Sequence, residues 1–370
     1  MKKLLSLVLA LAMCLCASGL ALADAESNLA AAEAAASMTL EELVAAAQAE
    51  GQVFSVGMPD EWANWKDLWA YIEETYGIAH SDTDMSSAEE LERFALQGKA
   101  DADIGDIGIS MTGVAVEQDL LLPFKTSHWD SIPDYAKHPD GLWIEPYTCT
   151  TAFIIDTQNV TGDLPETWAD LLEGDYSVWI GDIERAAQAY VGVLACAYAH
   201  GGDETDLSPA MPFFAELAKQ GRLITSDPYV ENLEKGEVGV AVVWDFNALG
   251  YAETIYEAQG EDTGRYAITV PSDGAAASGY ASVINKYANN PYAAMLVREV
   301  ILSDVGQNFL ALGHAKPIRT DVEFSEEAKA AILDDSLYSN VYYVEDWSVF
   351  DQTVAGLPEL WQEEVAIYMN

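Results

Sequence analysis

Two hydrophobic periods alternate along this chain. Val53-Phe54-Ser55-Val56 is a short apolar run that stops at Gly57-Met58-Pro59, and residues 66–75 then carry apolar positions at helical spacing. The stretch GQVFSVGMPDEWANW therefore reads as a strand opening into a loop and a helix. Residues 39–51 read as a preceding helix, with Thr39 as cap, Glu41 and Glu42 in the first turn and Gly51 at the end. A short segment at 78–81, a loop at 82–85 and a helix at 86–96 follow. A third strand at 103–107 ends in Gly108-Ile109-Ser110. Strands alternating with helices predict a parallel sheet covered on both faces.

The run at 147–155 is longer and richer in β-formers than any before it. A second α/β series follows. Leu164-Pro165-Glu166-Thr167-Trp168 opens a helix, and a strand at 177–180 ends in Gly181-Asp182. An Ala-rich helix covers 183–199, and a strand at 238–244 ends in Asp245-Phe246-Asn247. A second β-rich run at 266–270 passes through 271–279 into 280–284. The remainder is mostly helical, with a break at Lys316-Pro317 and a closing segment at 357–368. Two long β-rich runs around an inserted series predict a chain that crosses twice between two lobes. The expected fold is α/β with two lobes, each a mainly parallel sheet with flanking helices. Lobe 1 is expected at 39–148 and 280–370 and lobe 2 at 149–279, with crossovers near 148–151 and 272–279.

The N-terminus modifies this picture. Met1-Lys2-Lys3, the apolar run LLSLVLALAMCLC and the small-residue segment ending Ala21-Leu22-Ala23 have the three parts of a secretory signal over residues 1–23. Residues 24–38 read as an Ala-rich spacer. An exported chain is thus expected, at the periplasm or the outer face of the cytoplasmic membrane. Cys14 and Cys16 lack the usual small residue before a lipidated cysteine. About 345 residues remain after cleavage, which suits two domains. Of the two remaining cysteines, Cys149 and Cys196, either a disulfide or two buried thiols is expected. The formal net charge is −44, which disfavours nucleic acid and anionic membranes as partners and draws cationic solutes.

The segments EGQVFSVGMPDEWANW, DTDMSSAEELERF, ADIGDIGIS, TCTTAFIIDT, LPETWADLLEGDYSVWIGD, EKGEVGVAVVWDFNALG and NKYANNPYAAMLVREVILS, in this order, resemble the extracellular solute-binding proteins of bacterial ABC importers. The subgroup is the two-crossover type, which includes binders of polyamines, ferric iron, thiamine and phosphonates. LPETWADLLEGDY is the most specific element, a Pro-x-x-Trp-x-Asp-Leu helix after the first crossover. The resemblance implies a periplasmic-binding-protein-like fold, a monomer, an interlobe cleft closing on a small solute, and an ABC permease as partner. It implies no cofactor and no chemistry. The chain departs from the amine binders at the second crossover. Ala275-Ala276-Ala277-Ser278-Gly279-Tyr280 stands there in place of an aromatic and an acid.

Loops at strand ends supply the candidate ligand residues, because ligands of open α/β sheets bind outside those ends. Asp60, Trp62 and Trp65 follow the first strand; the tryptophans can stack on a ligand or pack a helix start. Ser86 and Ser87 precede Glu89 and Glu90 in a capping-box pattern, at a helix start that can also hold an anionic or carbonyl oxygen. Asp106 ends the third strand. Asp182 and Arg185 start the second-lobe helix, with Arg185 the candidate for an acidic ligand group. Trp244, Asp245 and Asn247 end an apolar strand, and Ser278 and Tyr280 lie at the second crossover. Tyr342-Tyr343 lies in an alternating segment and reads as structure rather than as an iron-ligating pair. The five histidines are scattered, and no metal or catalytic motif stands out. The expected function is capture of an amine-containing or zwitterionic solute, polyamine- or phosphonate-like. A secreted carbohydrate-active hydrolase with paired carboxylates is the alternative.

Overall fold

The computed structural model describes residues 25–60, 62–99, 101–184, 186–226, 229–260 and 262–369. The signal segment, Glu61 and Arg185 therefore lie outside the described residues. In chain order the first lobe opens with α1 (Ala25–Ala35), α2 (Leu40–Glu50), β1 (Gln52–Val56), α3 (Trp65–Tyr76), β2 (Ala79–Thr83), α4 (Ser87–Phe94), β3 (Ile104–Gly108) and α5 (Thr112–Glu117). The crossing strand β4 (Trp143–Asp156) leads to α6 (Trp168–Glu173), β5 (Val178–Trp179), α7 (Ala187–Ala199), α8 (Met211–Lys219), β6 (Leu223–Ile224), α9 (Tyr229–Lys235), β7 (Val240–Trp244), α10 (Asp245–Gln259) and β8 (Tyr266–Thr269). The chain returns along β9 (Ala275–Ile284). It ends with α11 (Pro291–Ile301), α12 (Asp304–Leu312), β10 (Lys316–Pro317), α13 (Glu326–Ala331), β11 (Val341–Tyr343) and α14 (Trp347–Glu364).

The residues between α1 and β1 form what their sequence dictates. Thr39 caps α2 in a capping box with Glu42, and Gly51 closes it in the left-handed conformation. β1 pairs in parallel with β2 and β3. Val53 faces a core with Leu68 and Ile72 of α3, while Val56 faces Leu91 and Phe94 of α4. Residues 25–35, expected as spacer, are helical instead. Ala32 and Ala35 are buried with the α11 core, and Asn28 donates to the carbonyls of Lys286 and Ala288 at 3.1 and 2.8 Å. Alanine supplies both high helix propensity and the close approach.

The two-lobe division is written in the register of β4. Trp143 to Thr150 pairs antiparallel with β9, whereas Thr151 to Asp156 pairs with β7 and β8. One strand thus leaves the first sheet and joins the second between Thr150 and Thr151. β9 makes the return, pairing with β3 as well as β4. In the second lobe β7, β5 and β6 are parallel. The Pro-x-x-Trp-x-Asp-Leu segment explains itself here. Trp168 is fully buried against Phe153, Phe213 and Phe214, and Thr167 and Asp170 form the capping box of α6. The Trp168 backbone N–H donates to Asp273, and its indole N–H donates to the Gly274 carbonyl at 2.8 Å. The motif thereby pins α6 to the loop before the second crossover.

The C-terminal helix departs from the expected division, in which 280–370 belongs to lobe 1. Phe350, Leu357 and Trp361 of α14 are buried in the second-lobe core, with Trp361 5.1 Å from the ring of Phe214. Cys149 and Cys196 are both buried free thiols. Tyr342 and Tyr343 form part of β11, and their rings pack in different places, against Tyr198 and Tyr135.

Candidate functional site

Strand ends of both lobes and the second crossover meet around a cleft of about 280 Å³. Trp62 comes from the β1–α3 loop and Trp179 and Asp182 from the end of β5. Ala186, Ala187 and Gln188 come from the start of α7, Trp244, Asn247 and Tyr251 from the β7–α10 junction, and Tyr280 from β9. Five of the thirteen candidates therefore come together: Trp62, Asp182, Trp244, Asn247 and Tyr280.

Trp62 bridges the lobes. Its ring lies edge-on to Phe246 of α10 at 5.0 Å and to Tyr280 at 5.2 Å. Its indole N–H donates to the Tyr147 hydroxyl at 2.8 Å, and that hydroxyl donates to Asp106 Oδ2 at 2.6 Å. Trp179 donates its indole N–H to the Ser226 carbonyl at 3.0 Å. The Gln188 side-chain nitrogen donates to the carbonyls of Ile180 and Val242. The donors of these three side chains are thus committed within the protein, and what they offer the cleft is aromatic surface and acceptor character. Gly181 makes this approach feasible. It has φ of 90°, and a Cβ there would come within 3.0 Å of the Trp179 ring.

The other described candidates do not line this cleft, and most have structural work. Trp65 is fully buried in the first-lobe core against Trp69 and Tyr147. Its indole N–H is near enough to favour the charged form of Asp106 without closing a hydrogen bond. Asp60 is exposed. Ser86 is the cap of α4, paired reciprocally with Glu89, and Ser87 Oγ accepts from the Gly108 N–H at 2.9 Å. Asp106 is buried beneath Tyr147, and burial raises its pKa to about 7. Glu90 lies close by, and burial and the charge of Asp106 push its carboxyl well above the usual range. Asp245 is buried and accepts from the Thr150 N–H, the Phe246 N–H and the Tyr338 hydroxyl at 3.0, 2.9 and 2.7 Å. It fastens the end of β7 to the point where β4 changes lobes. Ser278 lines a different, smaller cavity. Arg185 is not described.

Sequence reasoning missed Trp179, Gln188 and Tyr251. Trp179 carried a usable signal, since it stands at the end of a strand next to Gly181-Asp182. Gln188 and Tyr251 lie inside helices and carried none. A larger groove of about 1040 Å³ lies between residues 160 and 176, on one loop-and-helix segment of the second lobe. It draws on no residue of the first lobe or of either crossing strand.

Residues 102–339 match the family of bacterial extracellular solute-binding proteins. The chain belongs to that family. It is an extracellular binding protein rather than an enzyme. Among the described cleft residues Asp182 is the single carboxylate, which leaves the two-carboxylate hydrolase without its pair. No curated protein matches the chain in sequence. Among solved structures it is similar to the periplasmic binding protein AfuA of Actinobacillus pleuropneumoniae, with exogenous fructose-6-phosphate bound. Identity is 19%, coverage 85% of this chain and 98% of that one, and the TM-score 0.65. Apo ferric ion-binding protein A of Pasteurella haemolytica aligns at 16% identity over 86% and 99%, with TM-score 0.66. The spermidine/putrescine ABC transporter substrate-binding protein PotD of Streptococcus pneumoniae aligns at 16% over 86% and 99%, with TM-score 0.65. At such identities the likeness establishes the two-lobe fold. No helix among the described residues is long and apolar enough to cross a membrane.

Proposed function

We propose that this solute-binding protein delivers a small amine-bearing cation to an ABC permease, and that the cleft of Trp62, Trp179, Asp182, Trp244, Asn247, Tyr251 and Tyr280 holds it. The carrying observation is the character of the wall: five aromatic side chains, with indole donors of Trp62 and Trp179 turned inward and no Lys or Arg among the described lining residues. Aromatic faces attract ammonium groups electrostatically, and amide and carboxylate oxygens accept their N–H bonds. The net charge of −44 favours the same sign of ligand at long range. PotD, a structural neighbour, is a spermidine/putrescine binder by description, which is compatible with this class. A zwitterion is the specific variant, because the uncapped start of α7 lines the same cleft and suits a carboxylate.

In this reading the first lobe comprises residues 25–148 and 280 through α12, and the second comprises 149–279 together with α14. Closure then bends β4 at Thr150–Thr151 and the loop ahead of β9. The test is a calorimetric panel of putrescine, spermidine, choline, glycine betaine, an amino-phosphonate and a sugar phosphate against the purified chain. An amine or zwitterion is expected to bind. Replacing Trp62 by Leu keeps an apolar side chain but removes one aromatic face, and is expected to weaken that ligand on the order of tenfold. Selective binding of the sugar phosphate would overturn the amine assignment.

A further inference from the structure

A carboxylate without a counter-ion is buried where the chain crosses between lobes. Glu145 stands at the irregularity in β4 between the register pairs Ile144–Ser282 and Tyr147–Tyr280, and it is 5% exposed. Among the described residues none donates a hydrogen bond or an ion pair to it, and burial alone pushes its pKa well above the usual range. Its carboxyl occupies the space that a Cβ on Gly279 would fill, so glycine on the facing strand is what admits it. Gly279 and Tyr280 point to opposite faces of β9. Among the described residues, the space beside Glu145 and the cleft lined by Tyr280 share no lining residue.

Beside Glu145 is a space of about 40 Å³, lined by Tyr135, Thr148, Ser278, Tyr343 and Trp347. The rings of Tyr135 and Tyr343 are 5.2 Å apart. These residues come from the first lobe, both crossing strands, β11 and the start of α14. We propose that this space is a binding site for a small monovalent cation, potassium or ammonium, held by the Glu145 carboxylate and the surrounding aromatic rings.

Such an ion suits the charge, the rings and the size of the space. An isolated charge in an apolar site is costly, and a cation removes the cost without protonating the acid. Aromatic rings attract cations at their faces, and three line this space. A water needs roughly 10–15 Å³, so 40 Å³ admits an ion of water size together with a few waters. One carboxylate balances one monovalent cation, whereas a hard divalent ion is held by several oxygens and would keep an uncompensated charge here.

The site stands apart from the solute cleft, and its test is separate. Thermal unfolding of the full chain is followed in potassium, ammonium and tetramethylammonium chlorides at matched ionic strength. Potassium or ammonium is expected to raise the midpoint saturably, and tetramethylammonium, whose methyl groups keep its charge out of close contact with a carboxylate oxygen, is not; the two small ions show which is preferred. In Glu145→Gln the ion-specific difference disappears while the fold persists, because a neutral amide suits a buried position. Tyr343→Leu, at a side chain 47% exposed, keeps the fold and raises the half-saturating concentration severalfold. Equal midpoints in the three salts would overturn the site and leave Glu145 as a protonated acid. Ion-specific stabilisation unchanged in both variants would overturn it as well.

Discussion

Buried carboxyls carry the sharpest expectation about single residues. Asp106 is 2% exposed, and its pKa of about 7 lies above the ordinary value of about 3.9. A group raised in this way stabilises the fold fully below the ordinary value, and that contribution is lost as pH rises through about 7. Glu90 is raised in the same direction, by burial and then by Asp106. Asp106→Asn is therefore expected to flatten the fall in stability between pH 4 and 7, by at most about 1.4 kcal/mol per pH unit for one proton. Urea midpoints of both proteins across that range check this; parallel profiles would count against it. From sequence, Asp106 and Asp245 looked like ligand groups because they end strands. Their neighbours give them structural roles that the sequence did not announce. Asp245 receives three hydrogen bonds, from Thr150, Phe246 and Tyr338, the farthest 95 residues away.

At the scale of elements, local rules were legible wherever the chain answers to itself. Thr39, Gly51 and Ser86 terminate helices as their spacing requires. The Trp168 segment goes further, because its cap is local and its anchor is not. Thr167→Ala removes the cap of α6 and is expected to cost about 1 kcal/mol. Trp168→Ala also opens a cavity among Phe153, Phe213 and Phe214 and frees the Gly274 carbonyl, so a cost of about 3–5 kcal/mol is expected. Chemical denaturation of the two variants separates these contributions. Similar losses in both would mean that the indole contributes little beyond the cap. α1 shows the opposite limit. Its Ala-rich sequence carries no turn and little amphipathic pattern, so nothing local announced the α11 surface on which Ala32 and Ala35 settle.

Across the whole molecule, the proposed capture of solute depends on the two sheets moving as bodies about shared strands. Thr150 and Thr151 are the positions at which β4 exchanges β9 for β7 and β8. If a bound amine is contacted from both lobes, the closed form is favoured and the radius of gyration from small-angle scattering is expected to fall when that ligand is added. An unchanged radius would count against closure. The same ligand at 100 times its dissociation constant is expected to add about 2.7 kcal/mol of stability. α14 bears on this motion as well, since it packs in the second-lobe core while Trp347 at its start also touches the core under α4.

Sequence by itself determined the alternation of strands and helices, the two crossings, the family and five of the residues that line the cleft. It could do so because helix caps, strand periods and a buried tryptophan motif are local or nearly local in the chain. Tertiary structure decided which polar side chains remain for a ligand. Asp106, Asp245, Ser86 and Ser87, strand-end and helix-start groups in the sequence, are tied into the fold by hydrogen bonds from distant or neighbouring turns of backbone. Trp179, Gln188 and Tyr251 joined the site only through folding, and Glu145 acquired its isolation only when Gly279 came to face it. Whether a polar group is spent or available depends on what surrounds it in space, and that environment is assembled by contacts across the whole chain.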